Sequence, residues 1–307
     1  MTNSLITLAE DGFYEDIIFH RVINEFVIQS GDPLGNGTGG SDLGNFDDQY
    51  HVDLQHNGTG VLSMAKSNDD TNNSQFFITE GPQRALDFNH TIFGQLIEGE
   101  RVRETISNVA TDGDDKPNVP VRIESAQVID ATDNAVLMLT ALQATGSTTI
   151  TVTATDPSGN SDSQTFSVNL EEDTFNAPPF LEPIEDQFFN VGETAQFQIS
   201  SIDVEGDPVV YDAILIGNDD ATIEVDENGL VTVGGFVGTL EAGVQVAPAD
   251  IDSVFTVDPF DVQFFNITIG ADAPASVDLL ASSDSGLLAD DNITNVTDLQ
   301  FEVAGLT

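Results

Sequence analysis

Two stretches near the start of the chain decide its fold: FHRVINEFVIQSGDP at residues 19–33 and LSMAKSNDDTNNSQFFIT at residues 62–79. Each contains short apolar runs, and the glycine-rich segment GNGTGGSDLGNFDDQYH at residues 35–51 lies between them. Short apolar runs bounded by turn residues predict β-strands. The first part of the chain is therefore predicted to consist of short strands joined by glycine-rich loops.

Two further stretches in this part have helical periodicity. The first, SLITLAED at residues 4–11, places its four apolar residues on one helical face. The second, EGERVRETISNV at residues 98–109, places Val102, Ile106 and Val109 at the i, i+4 and i+7 spacing of a helical face. We therefore expect two helices among the short strands.

The chain of 307 residues is strongly acidic, with 53 Asp and Glu against seven Lys and Arg and a formal net charge of −46. All seven cations lie within residues 1–122, whereas residues 131–307 contain 31 acidic residues and neither Lys nor Arg. Such a surface repels nucleic acid and anionic lipid, because both are polyanions. We expect no nucleic-acid partner, and the charge suits a salty medium or divalent cations.

Three absences from the sequence bear on the class of protein. There is no cysteine, which excludes disulfides, thiolate metal sites and cysteine nucleophiles. No apolar run reaches the roughly 18 residues that a membrane span needs, so no membrane insertion is expected. The first residues, MTNSLITLAEDG, do not have the basic and then apolar pattern of a signal peptide.

The pattern of apolar and polar residues changes beyond Arg122, the last cationic residue of the chain. Beyond residue 130 the runs alternate in hydrophobicity and are rich in Thr and Val, and turn clusters separate them. Strands at this spacing without a helical period predict antiparallel β-sandwiches. The strand-like runs lie at residues 147–156, 163–170, 194–203 and 264–271, and NAPPF at 176–180 is predicted to be a linker.

The two opening stretches resemble the cyclophilin family of peptidyl-prolyl cis-trans isomerases in residue type, order and spacing. LDFNHTIFGQLIEG at 86–99 continues the resemblance, and VPVRIESAQVI at 119–129 is similar to the closing strand of that family. The resemblance extends without a break through most of residues 1–130. It implies a cyclophilin-like β-barrel with two helices, acting on proline-containing polypeptides with no cofactor for catalysis.

Carried over position by position, the resemblance implies a set of catalytic residues around the prolyl bond: Arg21, Phe26, Gln29, Phe77, Leu86 and His90. It also implies that four residues contact the remainder of the substrate chain: Val27, Ala65, Lys66 and Gln75. Lys66 would do so through its backbone. The other histidines, His20, His51 and His56, are expected to make structural hydrogen bonds.

The chemistry of prolyl isomerisation explains these residue types. Rotation about an X–Pro bond has a barrier of about 18–20 kcal/mol, because amide resonance must be broken. No nucleophile is needed, since the enzyme has only to bind the twisted amide better than the planar forms. A guanidinium can donate to the lone pair that appears on the prolyl nitrogen, and an apolar pocket can hold the ring.

Four features depart from the family pattern. Ala85 stands where the family often has Trp or Phe, so cyclosporin-type ligands are expected to bind poorly. Val27 replaces a usual Met, and Lys66 replaces a usual Asn. The family also has about thirty residues ahead of Met1 that form two barrel strands, so we expect the sequence to be a fragment of a longer gene product.

The second part of the chain resembles bacterial surface modules. Residues 176–272 are similar to a cadherin-like β-sandwich, residues 131–175 to a partial Ig-like segment with its linker, and residues 273–307 to the start of a further Ig-like repeat. In DVEGDP at residues 203–208, the carboxylates of Asp203, Glu205 and Asp207 alternate around a glycine turn and could bind Ca²⁺. The alternative is a solvated turn with no metal.

These observations predict a mostly β chain: a cyclophilin-like β-barrel with two helices, followed by Ig-like and cadherin-like antiparallel β-sandwich modules. The predicted function is prolyl isomerisation of exported or surface polypeptides by a secreted or cell-surface bacterial protein, whose repeats offer surfaces for self-association. The alternative is a structural or adhesive surface protein in which the cyclophilin domain is a non-catalytic binding or packing module.

Overall fold

The structure is a computed structural model, and it describes residues 2–129, 137, 139, 145–217, 220–249 and 261–270, with the backbone of strands at 276–279 and 301–304. The chain divides into two compact units, Met1–Ala177 and Pro178–Thr307. The boundary between them falls inside the predicted NAPPF linker. No helix in the described ranges is both long enough and apolar enough to cross a membrane.

The first unit contains two α-helices and one five-stranded sheet. The helices are α1 (Thr2–Glu10) and α2 (Glu100–Ser107), and Arg84–Leu86 forms a 3-10 turn. The strands are β1 (Arg21–Ile23), β2 (Val27–Ser30), β3 (Val61–Met64), β4 (Phe76–Thr79) and β5 (Ile92–Gln95). Their order is β1-β2-β4-β3-β5, and each neighbouring pair is antiparallel.

Among the described residues this sheet is open. Closing a barrel around a filled interior takes about eight strands, and this sheet has five. Both helices lie where the periodicity predicted them, within two residues at each end.

The core lies on one face of the sheet. Leu5 and Leu8 of α1 pack with Met64 of β3, which is completely buried. A second cluster joins Ile28 of β2 to Ile106, which lies on α2. Because side chains alternate along a strand, the residues between these core positions face the other side of the sheet.

Helix α2 does not bury the whole face that its periodicity predicts. Val102 is 63% exposed, whereas Arg103 next to it is buried. The guanidinium of Arg103 pairs with the carboxylates of Glu80 and Glu100. A buried cation is retained only with such partners, so these two carboxylates explain which side of α2 faces inward.

A two-stranded ribbon follows in the first unit. It consists of β6 (Gly146–Thr155) and β7 (Ser161–Leu170), which pair antiparallel along their full length. Both lie within two residues of the predicted strands. The assignment of residues 131–175 to a partial Ig-like segment stays a prediction.

The second unit is built from strands alone in its described ranges: β8 (Phe180–Leu181), β9 (Gln187–Asn190), β10 (Ala195–Gln198), β11 (Ser201–Ile202), β12 (Val209–Ile216), β13 (Thr222–Val225), β14 (Leu230–Gly234), β15 (Gly238–Pro248), β16 (Val262–Gly270), β17 (Ser276–Leu279) and β18 (Phe301–Ala304). A four-stranded sheet has the order β12-β15-β16-β9, and a three-stranded sheet has the order β10-β14-β13.

Side chains from both of these sheets share one core, as shown by Val231 of β14, Val244 of β15 and Ile267 of β16, which have no exposed surface. One pair departs from the predicted antiparallel pattern, because β9 runs parallel to β16. The unit is therefore mostly β with a single core, and its cadherin-like character stays a prediction.

Candidate active site

The register of the sheet places three predicted site residues in one row. Arg21 of β1 lies opposite Gln29 of β2, and Gln29 lies opposite Phe77 of β4. Directly opposed residues of antiparallel strands point to the same face. The cation, the amide and the aromatic ring therefore share the face of the sheet that is turned away from the helices.

Arg21 is held at the open end of this row. Its side chain is 42% exposed, and its Nε lies 3.9 Å from Oδ2 of Asp115. The guanidinium also lies over the ring of Phe26, 5.9 Å from the centroid. The tight turn between β1 and β2 brings Phe26 to this position, and Glu25 in that turn has a positive φ of 63°. The guanidinium is thus oriented but still accessible.

Gln29 and Gln75 connect the row to the glycine-rich loop. Nε2 of Gln29 donates to Oε1 of Gln75 at 3.0 Å. Nε2 of Gln75 in turn donates to the carbonyl oxygens of Gly37 and Gly39, at 3.1 and 2.8 Å. These side chains line a groove of about 580 Å³ together with Ala65. The groove could receive an extended peptide alongside the row.

Asp32 fixes the shape of the glycine-rich loop. Its buried carboxylate accepts backbone N–H groups from Leu34, Asn36 and Gly37 at 2.5–2.8 Å. Burial alone would raise the pKa of Asp32, but these three donors outweigh it and lower the pKa below its ordinary value. The loop is therefore built around a stable anion.

Gly31 lets the chain leave β2 at this point. Its φ is +87°, and a Cβ there would lie 2.2 Å from the carbonyl oxygen of Ser74. Only glycine fits such a close approach of two backbones. Next to the loop, His20 is buried, and neither of its ring nitrogens has a hydrogen-bond partner in the described part of the chain. The prediction of a structural hydrogen bond for His20 was wrong.

Phe77 forms the buried aromatic floor of the site, between two histidines. Its ring stacks on His56, with centroids 5.8 Å apart, and meets His90 edge-on at 5.4 Å. Val27 is also buried on this face, and Leu86 is half-buried in the 3-10 turn. The carbonyl oxygen of Leu86 accepts the backbone N–H of His90 at 3.0 Å. Contacts thus link three of the predicted site residues, Phe77, His90 and Leu86, and Val27 lies on the same face of the sheet.

His90 is held neutral. Its Nδ1 lies 3.0 Å from the carbonyl oxygen of Met64. Because a carbonyl can only accept, Nδ1 carries the proton and Nε2 is left as an acceptor. Burial lowers the pKa of His90 to about 4. His90 is therefore an uncharged member of the site at neutral pH.

A buried carboxylate supports the other histidine. Oδ1 of Asp87 accepts from the backbone N and the Nδ1 of His56, at 2.5 and 3.0 Å. Oδ2 of Asp87 accepts from Nε of Arg84 at 2.5 Å. Both Asp87 and His56 have no exposed side-chain surface. This confirms a structural hydrogen bond for His56 and extends the support of Phe77 to Arg84.

Lys66 lies at the groove, and its side chain forms ion pairs. Its ammonium lies 2.5 Å from Oδ2 of Asp48 and 3.1 Å from Oδ1 of Asp69. Burial would lower the pKa of Lys66, but Asp48 and Asp69 outweigh it and raise the pKa. The side chain thus anchors the strand end, and its backbone remains the part that could contact a substrate.

Asp48, Asp69 and Asp70 bring ligand oxygens within 4.8 Å of one another, the one such acidic group among the described residues. The ammonium of Lys66 pairs with two of these three carboxylates, those of Asp48 and Asp69. The predicted metal residues Asp203, Glu205 and Asp207 are not gathered in this way. Instead, Oδ1 of Asp203 accepts the backbone N–H of Asp207 at 2.9 Å and closes the turn. The calcium site stays a prediction.

Sequence reasoning missed the residues that support the site. Asp32, Asp87 and Arg84 have no motif of their own, and their importance comes from burial and from donors distant in sequence. The one usable signal was the position of Arg84 and Asp87 on either side of Leu86, a predicted pocket residue. Charged residues so close to an apolar pocket need partners.

Comparison with known proteins gives a consistent result for the first unit. A profile of the family described as cyclophilin type peptidyl-prolyl cis-trans isomerase/CLD matches residues 2–128. Peptidyl-prolyl cis-trans isomerase ppi1 of Schizosaccharomyces pombe is 49% identical over 122 residues, which cover 39% of this chain and 79% of ppi1. Peptidyl-prolyl cis-trans isomerase-like 1 of Aspergillus oryzae is 47% identical over 126 residues, covering 40% of this chain and 78% of that protein.

A solved structure is also similar. It is a crystal structure of a Cryptosporidium parvum cyclophilin type peptidyl-prolyl cis-trans isomerase in the presence of the dipeptide Ala-Pro. It is 35% identical to this chain, with a TM-score of 0.41, and the match covers 42% of this chain and 84% of that one.

Proposed function

Since the chain belongs to the family of cyclophilin-type peptidyl-prolyl cis-trans isomerases, we propose that its first unit rotates X–Pro bonds at the row formed by Arg21, Gln29 and Phe77. The observation that supports this most is the register of the sheet, which aligns the three side chains on one face. A fixed cation, a hydrogen-bonding amide and an apolar wall are the three groups that the reaction needs.

Arg21 is the catalytic cation in this proposal. In the twisted amide the prolyl nitrogen becomes pyramidal and gains a lone pair, which the planar forms do not offer. A guanidinium donates to that lone pair, so it stabilises the transition state more than the ground state. The stacking of Arg21 on Phe26 and its contact with Asp115 hold the donor in place before substrate arrives. No bond is made to the enzyme and no proton is transferred.

Phe77 is the floor of the proline pocket, and Phe26, Val27 and Leu86 are its walls. Apolar side chains can hold the proline ring while the preceding residue of the substrate rotates. Because they also exclude water, they strengthen the contact with Arg21. His90 lies at the rim of the pocket. Because it is neutral, it does not draw water into the pocket as a charged side chain would. Ala85 lies in the 3-10 turn and is exposed. Because it is an alanine, the rim has no aromatic side chain at that position.

Gln29, Ala65, Lys66 and Gln75 bind the substrate chain on the other side of the row. They border the groove of about 580 Å³, and the backbone of Lys66 is available because its side chain is held by carboxylates. The groove reaches the row at Gln29, which lies opposite both Arg21 and Phe77, so an extended peptide in it would run beside the row.

The substrates are exported or surface polypeptides in this proposal, and the chain acts outside the cell. The support is the second part of the chain, residues 131–307, which contains neither Lys nor Arg and whose described residues form strands and turns without a helix. Repeats of such modules also offer surfaces for self-association, which size measurement at increasing protein concentration would test.

The test of the function is exchange NMR on an Ala-Pro peptide with the full chain of 307 residues. Isomerisation predicts cross-peaks between cis and trans forms at rates far above the uncatalysed process, which takes tens of seconds or more. The alternative, a non-catalytic binding module, predicts peptide chemical-shift changes with no such exchange. A folded chain that binds the peptide without exchange would overturn the proposal in favour of that alternative.

A further inference from the structure

A short segment beyond the region matched by the family profile contacts the support of the proline pocket. It comprises residues 171–177, EEDTFNA, which follow strand β7 in the first unit; we call it the strap. The profile match ends at residue 128. The segment therefore lies outside the family's own domain.

Two contacts join the strap to one guanidinium. Oδ2 of Asp173 lies 2.8 Å from Nη1 of Arg84. The ring of Phe175 lies beneath the same guanidinium, 5.4 Å from centroid to Cζ. A third contact shapes the strap itself, since Oδ1 of Asp173 accepts the backbone N–H of Phe175 at 3.1 Å. One carboxylate thus binds Arg84 and positions the ring that stacks on it.

Arg84 is the point where the strap meets the pocket support. Its Nε donates to Asp87, whose other oxygen holds His56, and His56 stacks on Phe77. The side chain of Arg84 is only 20% exposed. A guanidinium is a planar fork that can bind two carboxylates and stack on a ring at once. These contacts form a continuous path from the strap to the floor of the proline pocket.

We propose that the strap is a positioning element of the isomerase site: Asp173 and Phe175 hold Arg84, which fixes the Asp87–His56 support behind Phe77. This rests on the proposed function of the pocket. Without the strap, Arg84 retains Asp87 as its ionic partner but loses the second carboxylate and the ring. The pocket then grips proline less firmly in both the planar and the twisted states.

The experiment compares the full chain with the double variant Asp173→Asn, Phe175→Ala. Loss of binding that is equal in ground and transition states raises KM and leaves kcat unchanged. An exposed ion pair and a cation–π contact are both modest, so we expect KM for an Ala-Pro peptide to rise roughly three- to tenfold, with kcat within about twofold. The exchange of the His56 Nδ1 proton with water should quicken by at least about threefold, since its support is loosened.

The matched control is Asp162→Asn, Phe166→Ala on strand β7. It removes the same two residue types from the same part of the chain, at exposed positions. We expect KM and the His56 exchange rate to stay at their wild-type values. Arg84→Lys keeps the charge but not the fork, and the strap substitutions should have no further effect in its background.

Two results would overturn the proposal. One is an unchanged His56 exchange rate in the strap variant, and the other is an equal change in the control on β7. The proton exchange is measured without substrate, so it decides the role of the strap even if the wild-type chain shows no isomerase activity. Inactivity of the wild-type chain contradicts the proposed function instead.

Discussion

The substitution Asp87→Asn tests the support of the pocket because it replaces one carboxylate oxygen with an NH2 group of similar size. The carboxylate of Asp87 accepts three donors, two from His56 on Oδ1 and one from Arg84 on Oδ2. An asparagine has only one oxygen. If that oxygen faces His56, the amide group points its hydrogens at Nε of Arg84; if it faces Arg84, it points them at the two donors of His56.

Either orientation leaves at least one buried donor without an acceptor, and it removes the charge that balances Arg84. An unsatisfied buried group costs about 1–3 kcal/mol, and more if it is charged. Loss of a buried ionic partner costs about 3–5 kcal/mol when the remaining charge has no other partner. Arg84 keeps Asp173, so we expect the free energy of unfolding of the first unit to fall by about 3 kcal/mol.

The control is Asp173→Asn, at the other end of the same guanidinium. Its carboxylate is 47% exposed, and exposed ion pairs contribute about 0.2–1 kcal/mol. Urea denaturation followed by far-UV circular dichroism measures both variants against the wild type. A loss below about 1 kcal/mol for Asp87→Asn, or equal losses for the two variants, would refute the reasoning that burial makes Asp87 the decisive partner.

Three further predictions concern His90, Ala85 and the acidic turn of the second unit. Folding lowers the pKa of His90 from 6.5 to about 4, so between these pH values His90 is protonated in the unfolded state and neutral in the folded state. As the pH is lowered from 6.5 to 4, this difference therefore reduces the free energy of unfolding by up to about 3 kcal/mol. In His90→Gln, the free energy of unfolding should depend less steeply on pH over this range. A slope equal to that of the wild type would contradict the prediction. Ala85→Trp should tighten the binding of cyclosporin-type ligands in calorimetry, whereas tight binding by the wild type contradicts the position assigned to Ala85. Millimolar Ca²⁺ should raise the melting temperature of the second unit more than Mg²⁺ at equal ionic strength, and Asp203→Asn with Asp207→Asn should remove the difference; equal shifts leave only screening.

The row of site residues could be predicted because the two motifs that contain it, at residues 19–33 and 62–79, resemble the cyclophilin family. Arg21 and Gln29 belong to one hairpin, whose short turn fixes which residues lie opposite each other. Phe77 then follows from pairing of the next strand with β2. Alternation of side chains sends this row to one face and the core residues to the other. The resemblance to the family therefore named these residues, and strand pairing explains why they lie side by side.

The support of the site could not be predicted in the same way. Arg84 and Asp173 are 89 positions apart in the sequence, and nothing in either neighbourhood marks them as partners. The burial of Arg103 in place of Val102 is a similar case, since hydropathy predicts the opposite order. In both cases the energy of an ion depends on the groups around it after folding.

The open sheet shows the other limit of the sequence prediction. Family resemblance implied a cyclophilin-like fold, and closure of its barrel depends on how many strands are available to pair. The described residues of the first unit place five in this sheet. Residue types can match a family throughout while the number of strands decides the geometry.

The central claim is that Arg21 stabilises the twisted X–Pro amide, and the rate of cis-trans exchange tests it most directly. We would measure exchange of an Ala-Pro peptide with the wild-type chain, with Arg21→Ala, and with Arg101→Ala as the matched control. Arg101 lies on the exposed side of α2, so its loss removes the same charge away from the groove. Loss of one preorganised donor typically lowers a rate on the order of 100-fold. The account predicts a loss of that size for Arg21→Ala at wild-type stability, with the rate of Arg101→Ala unchanged. Equal and catalysed rates for the wild type and Arg21→Ala would contradict it.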